Sequence, residues 1–260
     1  MVESGTALDA AVLAAGLGAT QFARTRVHAC LDSTQAALIR DAARLPDRSV
    51  VIADRQSAGR GRRGRRWSAP PGATLALSML AHVPEGRRWA PGVTLALGVA
   101  AALALRAAGL STVGLKWPND LLVDGRKLGG ILVESCAGRG IVAGIGINIA
   151  LPDDARQAIG QDCVDLRELG STLSREQLAI VLVPDWNHAL DVFLRDGLDA
   201  FQMQWQALDV LASLPVRVLA GEGTVLDGIA QGIDAQGQLQ VVVDGKLRRF
   251  SSAEVSVRPA

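Results

Sequence analysis

The 260-residue sequence predicts an α+β protein, with a larger domain of strands and helices over residues 1–213 and a small antiparallel β-barrel over residues 214–260. Three observations predict it. Apolar, partly β-branched runs of strand length occupy residues 49–54, 74–82 and 140–149. An alanine-rich run at residues 94–108, ending at Gly109, is long enough to cover one face of a sheet as a helix. After Leu214-Pro215, short strands alternate with turn signals at Gly221-Glu222-Gly223, Asp234-Ala235-Gln236-Gly237 and Asp244-Gly245, the pattern of a small barrel.

Composition bounds the function. A formal net charge of +1 implies no polyelectrolyte partner for the chain as a whole, so any basic chemistry is local. Cys30, Cys136 and Cys163 are odd in number, widely spaced and without a CxxC, which fits a reducing compartment and argues against a disulfide framework or a zinc site. Residues 6–19 superficially resemble an export signal, but Glu3, Asp9 and the missing basic cluster favour a helix packed on the main domain. No run reaches the ~18 apolar residues of a membrane helix. A cytoplasmic protein with no membrane partner is expected.

In chain order, residues 27–31 read as a short strand, and Asp32-Ser33-Thr34-Gln35 opens a helix whose Asp or Ser is a natural N-cap. The same residues offer hydroxyls beside free backbone N–H groups, a receptor for a polar ligand group. The strand at residues 49–54 leads into Arg55-Gln56 and then a run with five arginines within residues 60–66, spaced by glycines. Charge repulsion and backbone freedom argue for a loop that stays mobile until an anion holds it. Arginine forks would grip a phosphate bidentately while glycines let the backbone approach. A nucleic-acid tether is the alternative, though such tethers usually sit at termini. Gly144 and Gly146 share one face of their strand, which clears either a ligand slot or a close crossing of elements. Beyond Pro152 the sequence suggests a short helix near residues 165–169, then a longer one from Arg175 that Pro184 interrupts.

The centre of the chain is residues 116–134. Asp124-Gly125 between two apolar runs signals a two-residue hairpin, because Gly accepts positive φ and Asp tolerates it. The chain has three lysines against twenty-four arginines, and two of the three, Lys116 and Lys127, fall on this hairpin. A point-charge ammonium is wanted there, or a rare residue has clustered on a solvated turn.

Together these segments resemble the biotin protein ligases, also called biotin–[acetyl-CoA-carboxylase] ligases. Residues 59–67 look like the family's glycine-arginine loop. Lys116-Trp117-Pro118-Asn119-Asp120 with residues 127–134 look like its second signature, and Gly144-Ile145-Gly146-Ile147-Asn148 like its third. The resemblance implies a mixed sheet with helices related to class II aminoacyl-tRNA synthetases, followed by an SH3-like barrel. It implies activation of biotin by ATP, with Mg²⁺, to biotinyl-5′-AMP, and transfer to a lysine of the biotin carboxyl carrier protein of acetyl-CoA carboxylase.

By the same resemblance Lys127, Arg62 and Asp120 would be catalytic. Ser33, Thr34, Gln35, Gln56, Arg60, Gly61, Arg62, Lys127, Gly130 and Gly144 would bind biotin. Arg60, Arg62, Arg65, Trp67, Asn119, Lys127 and Asn148 would bind the nucleotide, with no metal ligand assigned to a side chain. Asn119 and Asp120 have a capping alternative at the turn after Pro118. Gln35 stands where many relatives have Asn, and Cys163 lies near where some carry a Trp against adenine. The segment before Arg258 lacks the usual glycine pair ahead of Glu254. A monofunctional ligase without the DNA-binding domain of some relatives, hence without DNA or repressor function, and a homodimer paired through a sheet are the remaining expectations.

Overall fold

The computed structural model describes residues 7–83, 92–136, 140–219, 224–252 and 256–259. Glu3, the Gly221-Glu222-Gly223 turn signal and Glu254 lie outside them. The larger unit is built on seven strands: β1 (Thr25–Leu31), β2 (Val50–Gln56), β3 (Thr74–His82), β4 (Gly114–Lys116), β5 (Asp120–Val123), β6 (Arg126–Cys136) and β7 (Gly140–Asn148). Their order is β1-β2-β3-β7-β6-β5-β4, and the β1–β2 pair alone is parallel, so the sheet is mixed. Asp124 and Gly125 have φ of 50° and 75°, the positive pair that a two-residue turn between β5 and β6 needs.

Strand alternation sorts the sheet into two faces. Val50, Ile52, Leu77, Met79, Ala143 and Ile145 join the main core, where α3 (Val93–Ala107) and α5 (Arg175–Asp196) pack. Val51, Leu80 and Val142 point the other way, toward Leu38 and Ala42 of the shorter α2 (Thr34–Asp41) and the residue after it. The N-terminal stretch supplies α1 (Ala10–Phe22), capped by the Asp9 carboxylate and packed on α5 through Leu13 and Gly16.

Two helix expectations are corrected. Residues 166–170 form turns, while the short helix is α4 (Asp153–Ile159). Pro152 precedes it, Asp153 and Asp154 lie in its first turn, and Gly160 ends it at φ 65°. These are ordinary start and stop signals that the proline had masked. Helix α5 does not stop at Pro184 and runs for 22 residues. An internal proline costs about 3 kcal/mol. Leu178, Leu182, Trp186, Leu190 and Phe193 are buried along one face of this helix, each worth roughly 1.5–3 kcal/mol. Burial therefore outweighs the proline. The break comes at Gly197 (φ 72°), before a single 3₁₀ turn and α6 (Gln202–Leu208).

The C-terminal unit has five antiparallel strands, β8 (Pro215–Leu219), β9 (Val225–Ile233), β10 (Leu239–Val243), β11 (Lys246–Phe250) and β12 (Ser256–Pro259), ordered β11-β10-β9-β8-β12. The expected barrel is not closed by strand pairing: no ladder joins β11 to β12 among the described residues. Val216, Val218, Ala230, Leu239, Val241 and Val257 belong to the same buried cluster as the residues of α3 and α5. The Trp117 indole, donating to the Gly237 carbonyl at 3.0 Å, pins the two units together.

Asp209, in the connection between them, is largely buried. One carboxylate oxygen accepts from Leu211 N at 2.9 Å, while the other is buried without a partner. Burial raises its pKa to about 6, against that hydrogen bond. A raised carboxyl pKa leaves stability intact below the unfolded value and loses it as pH rises toward 6. Asp209→Asn is therefore expected to stabilise the fold by about 1–2 kcal/mol at pH 7 and by nothing measurable near pH 3.5. Denaturant midpoints at the two pH values check this; equal midpoints of both proteins at pH 7 would contradict it.

Candidate active site

On the face under α2, one register row crosses six strands: Ala53, Ala76, Gly146, Gly130, Asp120 and Lys116. Its middle carries no side chain larger than a methyl, and its β5–β4 end carries charge. Lys127 Nζ meets Asp120 Oδ1 at 2.7 Å, with both side chains more than four-fifths buried. The pair sits over Gly130, where an added Cβ would lie 3.3 Å from Asp120 Oδ1 and 3.5 Å from Lys127 Nζ. Glycine there makes the room for two charges to meet on the sheet.

The turn before β5 is held by its own residues. Asn119 N donates to Lys116 O at 3.1 Å, and the Asn119 side-chain amide donates to Ile131 O at 2.9 Å. Its oxygen then accepts from Arg62 Nη1 at 3.1 Å, joining the arginine loop to the hairpin. Arg62 Nη2 also donates to Ser252 O at 2.5 Å, so this guanidinium bridges the loop, the hairpin and the C-terminal unit. Burial, reinforced by Arg63 and Arg65 and opposed by Asp120, draws its pKa below the ordinary arginine value. The guanidinium remains charged.

The loop carries internal contacts of its own. Arg60 and Arg66 form an isolated bridge, Gly61 N donates to Arg65 O at 2.8 Å, and Arg62–Gly64 make one 3₁₀ turn. Partners outside the loop offset the repulsion within it: Arg60 pairs with Glu134 at 2.8 Å, and Arg62 is held as described. The loop, with Leu132, Val133 and Glu134 of β6 and Ser252, lines a cavity of about 770 Å³. Lys127 and Asp120 stand outside that lining. We take the ion pair over Gly130, with its convergent charges, as the chemical centre, and the cavity as space beside it.

A second row, Val51, Ser78, Gly144 and Leu132, carries neutral polar groups. Thr34 N and Oγ1 approach Gln56 Oε1 at 2.8 and 3.2 Å. Thr34 Oγ1 and Ser78 Oγ are 2.8 Å apart, Ser78 Oγ donates to Gln35 Oε1 at 3.1 Å, and Gln35 Nε2 donates to Val142 O at 2.8 Å. Ser33 caps α2, accepting from Ala36 N at 3.4 Å. Both glycines expected to clear a slot are filled from within the chain. A Cβ at Gly144 would lie 2.6 Å from Gln35 Oε1, and one at Gly146 would lie 2.4 Å from the Trp67 ring. The Trp67 indole N–H is buried without a partner.

Asn148, expected beside the nucleotide, is 2 % exposed; its amide donates to Lys127 O at 3.2 Å and Val164 O at 3.1 Å, while its Oδ1 is buried and unpartnered. It fixes the backbone under Lys127. Cys163 bridges Lys127 in parallel fashion, and Arg258 lies close enough to Lys116 to act on its charge, as does Arg65. Sequence reasoning missed Ser78 and Glu134 as site residues. The signal for Ser78 was a lone hydroxyl inside the otherwise apolar, uniformly buried middle of β3. Among the described residues no group of three or more His, Cys, Asp or Glu could hold a metal ion, and no helix is long and apolar enough to cross a membrane.

The sequence profile of the Biotin/lipoate A/B protein ligase family matches residues 27–151, and that of the Biotin protein ligase C terminal domain matches residues 215–258. The bifunctional ligase/repressor BirA of Escherichia coli is 38% identical over 248 residues, covering 94% of this chain and 77% of that one. The biotin--[acetyl-CoA-carboxylase] ligase of Mycobacterium tuberculosis is 35% identical over 224 residues, covering 80% and 79%. A solved biotin protein ligase from Aquifex aeolicus in complex with biotin and ATP superposes with a TM-score of 0.80 at 25% identity, over 91% of this chain and 99% of that chain.

The stacking of Trp67 on Gly146 gives a direct expectation. Gly146→Ala must displace the indole, at a cost of about 1–3 kcal/mol, and loosen the loop that Trp67 ends. Trypsin should then cut within residues 60–66 several-fold faster than in the parent while leaving the rest of the fold intact. Unchanged cleavage would show that the indole does not anchor the loop.

Proposed function

The chain belongs to the Biotin/lipoate A/B protein ligase family, and from that premise we propose that it is a biotin–[acetyl-CoA-carboxylase] ligase: it activates biotin with ATP to biotinyl-5′-AMP and transfers biotin to a lysine of the biotin carboxyl carrier protein of acetyl-CoA carboxylase. The observation that carries the mechanism is the meeting of Arg62, Lys127 and Asp120 beside a sheet surface stripped of side chains.

The first step joins two anions. Biotin's carboxylate is already ionised at neutral pH, so attack on the α-phosphate needs no general base, only neutralisation and alignment. In this reading Arg60, Arg62 and Lys127 hold the carboxylate and the phosphate, and Gly61 gives backbone approach. Arg65 lies toward the polyphosphate, Trp67 and Asn119 border the nucleotide, and Asn148 secures Lys127 from beneath. Mg²⁺ would be held chiefly by phosphate oxygens and water, a coordination that suits this ion and a site with no carboxylate cage among its described residues. Its charge would shield the departing pyrophosphate.

Biotin's ureido group is neutral and polar. The Thr34, Gln35, Gln56 and Ser78 cluster, with Ser33 capping its helix and Gly144 making room for the Gln35 side chain, offers hydrogen-bonding groups that would meet the ring, and Gly130 would border it. Lipoate's dithiolane ring offers no comparable donors and acceptors, whereas the ureido group can exchange with the partners these side chains hold at rest. In the second step the acceptor amine attacks the acyl carbon, the bond to the phosphate oxygen breaks, AMP leaves and the amine loses a proton. Asp120 would orient that amine. The cytoplasm, with ATP and the carrier protein, is the proposed place of action. A homodimer extending the sheet past the open β1 edge is part of the same proposal.

With ATP and Mg²⁺ the protein is expected to release pyrophosphate with biotin and far more slowly with lipoate; the reverse order, or no release with biotin, would remove the proposal. Lys127→Ala and Arg62→Ala are each expected to lose about 10²–10³-fold in adenylation while keeping a cooperative thermal transition. Normal turnover by both would take the charge clamp away.

A further inference from the structure

Lys116 stands directly opposite Asp120 across the β4–β5 pair, on the face that carries Gly130. Opposed residues of antiparallel strands have Cβ atoms about 4.5–5.5 Å apart. Asp120 therefore lies between two lysines, with Lys127 engaged at 2.7 Å and Lys116 in reserve. Lys116 is half-buried and makes no ion pair within 4.0 Å among the described residues. Such a group is costly to keep charged: burial draws the ammonium below the ordinary lysine value, Asp120 opposes this, and Lys127, Arg258 and Arg65 add to it. Arg62 is the other charge that acts with Asp120.

The ligase chemistry makes conflicting demands on Lys127. While its ammonium rests on Asp120 it cannot neutralise the biotin carboxylate and the α-phosphate. Once it leaves, Asp120 is a largely buried carboxylate at the moment the incoming amine needs an ionised acceptor. Resting on the ligase reading above, we propose that Lys116 is a positioning residue for the transfer step: it becomes the counter-ion of Asp120 when Lys127 is drawn onto the reacting oxygens, and so holds that carboxylate compensated and aimed at the acceptor amine. Lys116 touches no reacting atom. Its closeness to Asp120 follows from strand register, so the exchange of partners requires only side-chain motion.

The test separates the half-reactions in the full chain. Pyrophosphate release with biotin, ATP and Mg²⁺ reads adenylation, and mixing premade biotinyl-5′-AMP with a biotin carboxyl carrier domain reads transfer. In Lys116→Met, and in Lys116→Gln should the first variant fold poorly, transfer is expected to fall about tenfold. Adenylation should change less than threefold. Lys116→Arg, which restores the charge, should recover most of the transfer rate.

Normal transfer with a raised KM for ATP in adenylation would assign Lys116 to the phosphates and overturn the inference, as would a transfer loss that Lys116→Arg does not recover. If the parent protein fails to release pyrophosphate with biotin, the ligase reading itself falls, whatever the variants do.

Discussion

The Lys127–Asp120 ion pair sets the terms for the rest of the site. Two largely buried charges can meet on the face of a sheet only if the backbone beneath them is held and no side chain intrudes. The chain meets both conditions at once: Gly130 leaves the space, Asn119 ties the preceding turn to β6, and Asn148 holds the carbonyl of Lys127 from below. Arg62 then brings the arginine loop onto the same hairpin through Asn119. A pair this close is a charge held in readiness. Its cation has an anionic partner at rest, which avoids an uncompensated buried ammonium, and an incoming pair of anions can outbid one carboxylate for it.

The ligand-free face is filled from within. Gln35 occupies the hollow over Gly144, and the Trp67 ring occupies the hollow over Gly146. The filling is incomplete in hydrogen-bonding terms, since Trp67 Nε1, Asn148 Oδ1 and Glu134 Oε2 are buried without partners. Such groups cost free energy until something satisfies them. They cluster around the charged hairpin and the arginine loop, where the proposed substrates would lie.

Much of the fold was legible because local signals and tertiary structure agree. Strand β3 and the Asp124-Gly125 turn stand where periodicity and turn chemistry placed them, and α3 ends at Gly109 as its sequence implies. Helix α5 was misread because Pro184 is a strong local breaker whose penalty is offset by burial, a quantity no local window contains. The C-terminal strands, by contrast, stand on either side of the turn signals at residues 234–237 and 244–245. At the site, the residues that bear charge were visible as motifs. Their partners were not: the Arg62 contact with Ser252 spans 190 residues, and Ser78 matters only because β3 places it between Thr34 and Gln35. The counter-charges of the arginine loop, Glu134 above all, lie on another element, where no local window shows them.

The central claim is that one ammonium serves two masters, Asp120 at rest and the reacting oxygens during adenylation. The most direct measurement is a crystal structure of the protein with biotin and a non-hydrolysable ATP analogue bound. The account predicts ligand density in the trough over Gly130, between the ion pair and the arginine loop, with Lys127 Nζ moved from its 2.7 Å contact with Asp120 onto the carboxylate and α-phosphate oxygens. Ligand density remote from that trough, with the ion pair unbroken, would contradict it.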